Sequence, residues 1–322
     1  MHQSRNPRRC RGISLTEVLV VVAVIGLLIT ITLPSVHWVR ESSRKIQCLN
    51  NLRQIGVAVQ QHHDTHRHLP TDGWGFRWAG DPDRGFGYKQ PGGWICNLLP
   101  YLEQDAIRRL ARLQVGQQKR EATGKMLQRP VNLFQCPSRR RLDVYPYGEQ
   151  TFPLRNSIPI ARAAKSDYAI NGGHERVNAG AGPKSLRSED LSSYRWPDLQ
   201  RVTGVSFVRS RITLGQISDG LTNTLLAGEK YVPIDGGGLV PGDDQAMYIG
   251  DDADIRRWAE DIPLRDQRDL DDKHRFGGPH SPGTLFVFCD GAVRTIDFAV
   301  DQHLFQRLGN RRDNQPVNLK QL

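Results

Sequence analysis

The segment Arg8-Arg9-Cys10-Arg11-Gly12-Ile13-Ser14-Leu15-Thr16-Glu17, followed directly by the apolar run from Val18 to Leu33, limits what this chain can fold into more than any other stretch. Ile13 to Leu33 is 21 residues with a single carboxylate. As a helix it measures about 31 Å at ~1.5 Å per residue, the thickness of one bilayer core. Arg5, Arg8, Arg9 and Arg11 precede it with no acid among them, which keeps the N-terminus cytoplasmic and sends everything after Pro34 out of the cytoplasm. A secretory signal peptide would carry a small-residue cleavage site after its apolar run. None follows Leu33; the candidate, Gly12-Ile13, lies in front, so the apolar segment stays in the mature protein.

That order resembles the type IV prepilin N-methylation motif, in which a membrane peptidase cuts after glycine and methylates the new amino terminus. The resemblance implies a leader of residues 1–12, cleavage between Gly12 and Ile13, and prepilin peptidase as a partner. A carboxylate in a bilayer costs a few kcal/mol unless paired, so Glu17 is a functional candidate by default. In the pilin family the matching glutamate pairs with the amine of a neighbouring subunit and sets helix register in a filament. Pro34 falls where pilin helices commonly carry a helix-bending proline. The plainer alternative is a signal anchor whose interfacial glutamate reaches back to water.

With 322 residues there is ample material for a core, in one large domain or two small ones. Losing residues 1–12 removes four arginines and no acid, so the formal charge of +10 falls by four. The remaining basic residues are scattered among acids, as in Arg256-Arg257-Trp258-Ala259-Glu260-Asp261, and no nucleic-acid motif accompanies them; no nucleic-acid partner is expected. Cys48, Cys96, Cys136 and Cys289 remain after the leader is lost. Outside the cytoplasm they allow three disulfide connectivities or four buried thiols. Of the bridges, Cys48 to Cys136 is favoured, since it would tie the helix to the head. No C-x-x-C pair occurs, which argues against zinc.

After Pro34, Val36, Val39, Ile46, Leu49, Leu52, Ile55, Val57 and Val59 recur at threes and fours, predicting an amphipathic continuation of the helix over 13–64. His62, His63, His66 and His68 read as a polar helix end rather than a metal site. Residues 65–322 form the head. In it, Trp94 to Leu113 reads as a helix broken by Pro100, residues 131–138 as a short strand, and 139–165 as a basic surface loop. Residues 166–173 read as a strand ending in a glycine turn, and 179–201 as a long loop. Leu285 to Cys289 and Ala292 to Ile296 flank Asp290-Gly291, a strong hairpin signal. Residues 301–309 read as a closing helix.

Several blocks resemble one large pilin-like family, the domain of unknown function 1559. They are Gln47-Cys48-Leu49-Asn50-Asn51-Leu52-Arg53-Gln54-Ile55-Gly56, Leu99-Pro100-Tyr101-Leu102-Glu103-Gln104, Cys136-Pro137-Ser138, the run from Ile217 to Thr224, and His280 with nine residues before Asp290-Gly291. Cys289 departs from the small residue usual before Asp-Gly. The resemblance implies an α+β, pilin-like fold: a long N-terminal helix packed on an antiparallel β-sheet head.

In the H-X9-DG box, His280 is expected to brace the hairpin turn made by Asp290 and Gly291 rather than to act as a base. Asp243, Asp244, Asp251, Asp252 and Asp254 sit on glycine-rich loops, and such carboxylates suit Ca²⁺; secretion pseudopilins carry calcium in a corresponding region. The reading is a non-enzymatic, single-pass inner-membrane subunit with its head outside the cytoplasm. It would assemble with like subunits, in the lipid bilayer, into a type IV pilus or type II secretion-like pseudopilus, with a surface filament as one outcome. One alternative is a non-polymerising cell-surface protein that binds polysaccharide in an aromatic groove of Trp74, Trp78, Trp94 and Tyr101. A hydrolase using His280 and the acidic loops is the other.

Overall fold

Helix α1 (Leu15–His66) opens on a capping box. The Glu17 amide donates to Ser14 Oγ at 3.2 Å, while the Ser14 amide donates to Glu17 Oε2 at 2.8 Å. The computed structural model describes residues 14–148, 153–177 and 180–321; Gly12 and Ile13 lie outside them, and Pro34 lies inside α1 without ending it.

The chain divides into two units at Arg44/Lys45. In the first, α1 exposes apolar side chains, with Leu15 at 83%, Leu19 at 68%, Val22 at 63% and Leu27 at 63%. Among the described residues no helix is long and apolar enough to cross a membrane.

The second unit uses the rest of α1 as a wall of its core. Cys48, Leu52, Ile55 and Val59 are buried, following the three- and four-residue spacing of one helix face. Ile46 and Val57, expected on that stripe, point to solvent instead. After α1 come α2 (Trp94–Leu98), a 3-10 turn at Leu99–Leu102, and α3 (Asp105–Arg109), so the predicted helix breaks at Pro100 and again before Asp105. Helix α4 (Gly116–Leu127) had no signal in the sequence reading: its buried residues are confined to Thr123, Gly124, Met126 and Leu127. Residues 131–138 are not a strand. They hold a 3-10 turn, Asn132–Phe134, because the Cys136 amide goes to the Asp167 carboxylate (2.7 Å) rather than to a neighbouring strand.

Strands β1 (Val144–Pro146) and β2 (Arg162–Ala164) pair within the stretch read as loop, and α5 (Ser188–Ser193) lies within the other, with none of its side chains buried. The main sheet uses β3 (Tyr168–Asn171), β4 (Leu225–Glu229) and β5 (Arg256–Arg257). The short β6 (Leu264–Arg265) and β7 (Gly277–Gly278) pair apart from it. Strands β8 (Gly283–Phe288) and β9 (Val293–Asp297) complete it, in the order β5-β3-β4-β8-β9, antiparallel except for β3/β5. Helix α6 (Gln302–Gly309) closes the described chain's secondary structure before a last 3-10 turn.

Every residue of β8 is buried because the sheet is covered on both faces. Side chains alternate along a strand, so Leu285 and Val287 join the core containing Leu52 and Ile55 of α1, while Phe286 and Phe288 join Leu304, Phe305 and Leu308 of α6. A register shift between Leu225 and Ala227 puts Leu225 with the second core and both Leu226 and Ala227 with the first. Helix α1 approaches β8 at Gly56, where a Cβ would stand 2.8 Å from Val287 Cγ2. The architecture is α+β, a long N-terminal helix on a mostly antiparallel sheet.

Candidate functional site

Four segments remote in sequence meet in the core of the second unit. Cys48 comes from α1, Cys136 from the turn after Phe134, Glu229 from the end of β4, and His280 from the loop entering β8; none is more than 1% exposed. Cys48 Sγ lies 2.8 Å from Cys136 Sγ, both as free thiols. Cys136 Sγ is 3.6 Å from His280 Nε2, which is 3.3 Å from Glu229 Oε1. Glu229 Oε2 accepts the Leu285 amide at 3.1 Å, which leaves the fully buried Oε1 facing the His280 ring. The structure brings together the cysteine pair favoured for a bridge. It also places His280 on Glu229 and Cys136, not on the hairpin turn. That turn is made by Asp290, whose Oδ1 accepts the Ala292 amide at 2.8 Å, and by Gly291 at φ +86°.

Burial opposes a charge on His280, but its bonds to Cys136 and Glu229 outweigh that and raise its pKa to about 10. Among the described residues this is the one group in which three or more Cys, His, Asp or Glu ligand atoms lie within 4.8 Å of one another. The sequence reading set zinc aside for want of a C-x-x-C pair. The four groups converge through the fold, which local spacing does not encode. Glu229 was missed as a candidate because it lies outside every motif block of the sequence.

Next to Cys136 runs a buried ionic chain. Arg139 bonds Asp266 (2.9 Å) and Asp167 (3.2 Å); Arg140 bonds Asp167 (2.7 Å) and Asp243 (2.9 Å); Lys230 bonds Asp243 (3.0 Å). The stretch read as a basic surface loop therefore begins with two guanidiniums in the core. Burial works against the charge on Asp243, yet Arg140 and Lys230 hold its carboxyl well below the usual range. Asp251 is held by Arg256 at 2.6 Å. The five aspartates expected to hold calcium are thus not one ligand shell, because two are committed to cations. Burial and the neighbouring Asp254 push Asp244 up to about 7, and the same two causes raise Asp252. The cavity beside Asp251 and Asp252 is lined by Arg176, Arg256, Trp258, Lys273 and His274, so it joins the acidic loops to His274 rather than to His280.

The expected aromatic groove is dispersed. Trp74 and Trp78 meet edge to face (5.2 Å), Trp94 packs on Phe134 (5.7 Å), and the Tyr101 hydroxyl meets His66 Nε2 at 2.9 Å. Trp78 and Trp94 are buried, their indole N–H groups donating to Pro183 and Ile255 carbonyls.

At the end of α1, His62 is buried and its Nδ1–H donates to the His68 carbonyl (3.0 Å), beside the His66 and Phe86 rings. Burial, with His66 and His68 adding, lowers its pKa to about 3. A folded pKa below the unfolded ~6.5 means the contribution is complete above that pH and is lost as pH falls toward the folded value. Thermal unfolding of the wild type is expected to weaken by up to about 1.4 kcal/mol per pH unit from this group below pH ~6. His62→Asn, which keeps a donor but cannot titrate, should flatten that slope between pH ~7 and ~5.

A family model described as "Protein of unknown function (DUF1559)" matches residues 38–303, and one described as "Prokaryotic N-terminal methylation motif" matches residues 7–33. No curated protein and no solved structure matches the chain. The second match supports a type IV pilin-like substrate of prepilin peptidase.

Proposed function

Because this chain belongs to the DUF1559 family of proteins of unknown function and carries a methylation motif, we propose that it is a non-enzymatic, membrane-anchored pilin-like subunit of a type IV pilus or type II secretion-like pseudopilus. The carrying observation is the motif over residues 7–33 running straight into α1, whose side chains from Val18 to Leu27 are apolar or small on every side and exposed. A helix without a polar face needs lipid or like helices around it. Cleavage after Gly12 leaves an amine at Ile13, next to Ser14 and four residues before Glu17. The head then stays outside the inner membrane, anchored by one pass.

Glu17 already serves its own helix through the capping box, so Glu17→Ala would confound two roles. Glu17→Gln keeps an acceptor for the Ser14 amide and removes only the charge. Protein from native membranes is expected to begin at Ile13 with one added methyl, and Glu17→Gln to cut cross-linked multimers by about tenfold or more, the loss of an intramembrane charge pair. A chain beginning at Met1, with Glu17→Gln assembling as the wild type does, would leave a signal anchor bearing a polysaccharide-binding head.

A further inference from the structure

We propose that Cys48, Cys136, Glu229 and His280 form a closed, four-ligand site for a borderline-soft divalent cation, zinc by preference, which clamps α1 to the sheet. Two sulfurs, one imidazole nitrogen and one carboxylate oxygen are donors zinc takes together. Hard Ca²⁺ or Mg²⁺ would want an all-oxygen shell, which this group does not offer.

The distances carry the choice. With Zn–S near 2.3 Å and Zn–N and Zn–O near 2.0–2.1 Å, a tetrahedron has S···N edges of about 3.5 Å and N···O edges of about 3.3 Å. The structure has 3.6 Å from Cys136 Sγ to His280 Nε2 and 3.3 Å from His280 Nε2 to Glu229 Oε1. The sulfurs, at 2.8 Å, must part by about 1 Å to reach the corresponding S···S edge, a small turn about either cysteine's Cα–Cβ bond. Glu229 Oε1 is fully buried against the His280 ring at 3.3 Å, and its partner oxygen is fixed by the Leu285 amide. A buried carboxylate is costly unless a cation takes it, and zinc at the centre of the four donors would take it together with the imidazole nitrogen. Cys136 is likewise held from behind, its amide donating to Asp167 Oδ2 at 2.7 Å. Outer-shell bonds of this kind fix metal ligands.

All four donors belong to the protein and none is open to solvent, the pattern of a structural rather than a catalytic centre. Each donor comes from a different part of the head, so one ion would fasten the helix, the Cys136 turn, β4 and the entry to β8. The proposal does not depend on whether the subunits polymerise.

The test uses the full chain, extracted in detergent from its own membranes without reductant or chelator. About one zinc per chain is expected by elemental analysis. After chelation, Co²⁺ should bind one per chain with thiolate-to-cobalt charge-transfer bands and the visible spectrum of a tetrahedral ion, and zinc should displace it. Glu229→Gln, which preserves shape, should weaken Co²⁺ binding by tenfold or more, and Cys136→Ser should also dim the charge-transfer bands. Peptides of Cys48 and Cys136 joined by a disulfide in the extracted protein would overturn the proposal. So would four free thiols with no bound metal, or Co²⁺ affinity and spectrum unchanged in both variants.

Discussion

Asp167→Ala is expected to destabilise the head by about 3–5 kcal/mol, the usual cost of removing one member of a buried ionic network. Asp167 is fully buried and serves three donors: Arg139 at 3.2 Å, Arg140 at 2.7 Å and the Cys136 amide at 2.7 Å. Alanine would leave two guanidiniums in the core with one carboxylate each, Asp266 and Asp243. It would also release the backbone that aims Cys136. Asp167→Asn keeps the shape and an acceptor for the amide, so its loss should be smaller, about 1–3 kcal/mol. Thermal unfolding of the full chain in detergent distinguishes the two. A loss under about 1 kcal/mol for the alanine variant would mean that Asp266 and Asp243 suffice to hold both arginines.

Phe286→Ala should cost a similar amount, about 3–5 kcal/mol, for a different reason. Its ring is fully buried on the α6 side of β8, between Phe276 (5.1 Å between centroids) and Phe305 (5.7 Å). It also lies over Gly228 on the neighbouring strand, where a Cβ would collide with the ring. Truncation therefore opens a cavity whose walls are two aromatic rings and backbone, none of which can collapse far. Phe286→Leu fills most of that space and should lose less than half as much. Equal losses in the two variants would mean that the aromatic contacts, and not the volume, hold α6.

The difference between what the chain announces and what it conceals follows from range. The helix from Leu15, the hairpin at Asp290-Gly291 and the strand at Tyr168–Asn171 rest on periodicity and turn chemistry within a few residues, and they stand where the sequence places them. Helix α4 escaped because its first half is polar and its buried residues are confined to Thr123, Gly124, Met126 and Leu127 near its C-terminal end, too few to set a periodic stripe. Residues 131–138 misled because alternation of Phe134 and Cys136 imitates a strand, while a side chain 31 residues away takes the amide. Among the site residues, Cys48 and Cys136 were legible as a pair, but their company was not. Glu229 and His280 reach them through the pairing of β4 with β8, a long-range register that no local motif records. Two of the acidic-loop residues are taken up by cations, Asp243 by Arg140 from a remote segment and by Lys230, and Asp251 by Arg256 five residues along the same loop.

Helix α1 contributes Cys48, Leu52, Ile55 and Val59 to the interior of the second unit, whose contacts begin at Lys45. In the anchored subunit proposed above, this constrains proteolysis: a cut upstream of Lys45 would free a head with its inner wall in place. A cut beyond Cys48 frees one that has lost part of that wall and exposes Leu285 and Val287 to water. The position of the cut would thus decide whether the released head stays folded.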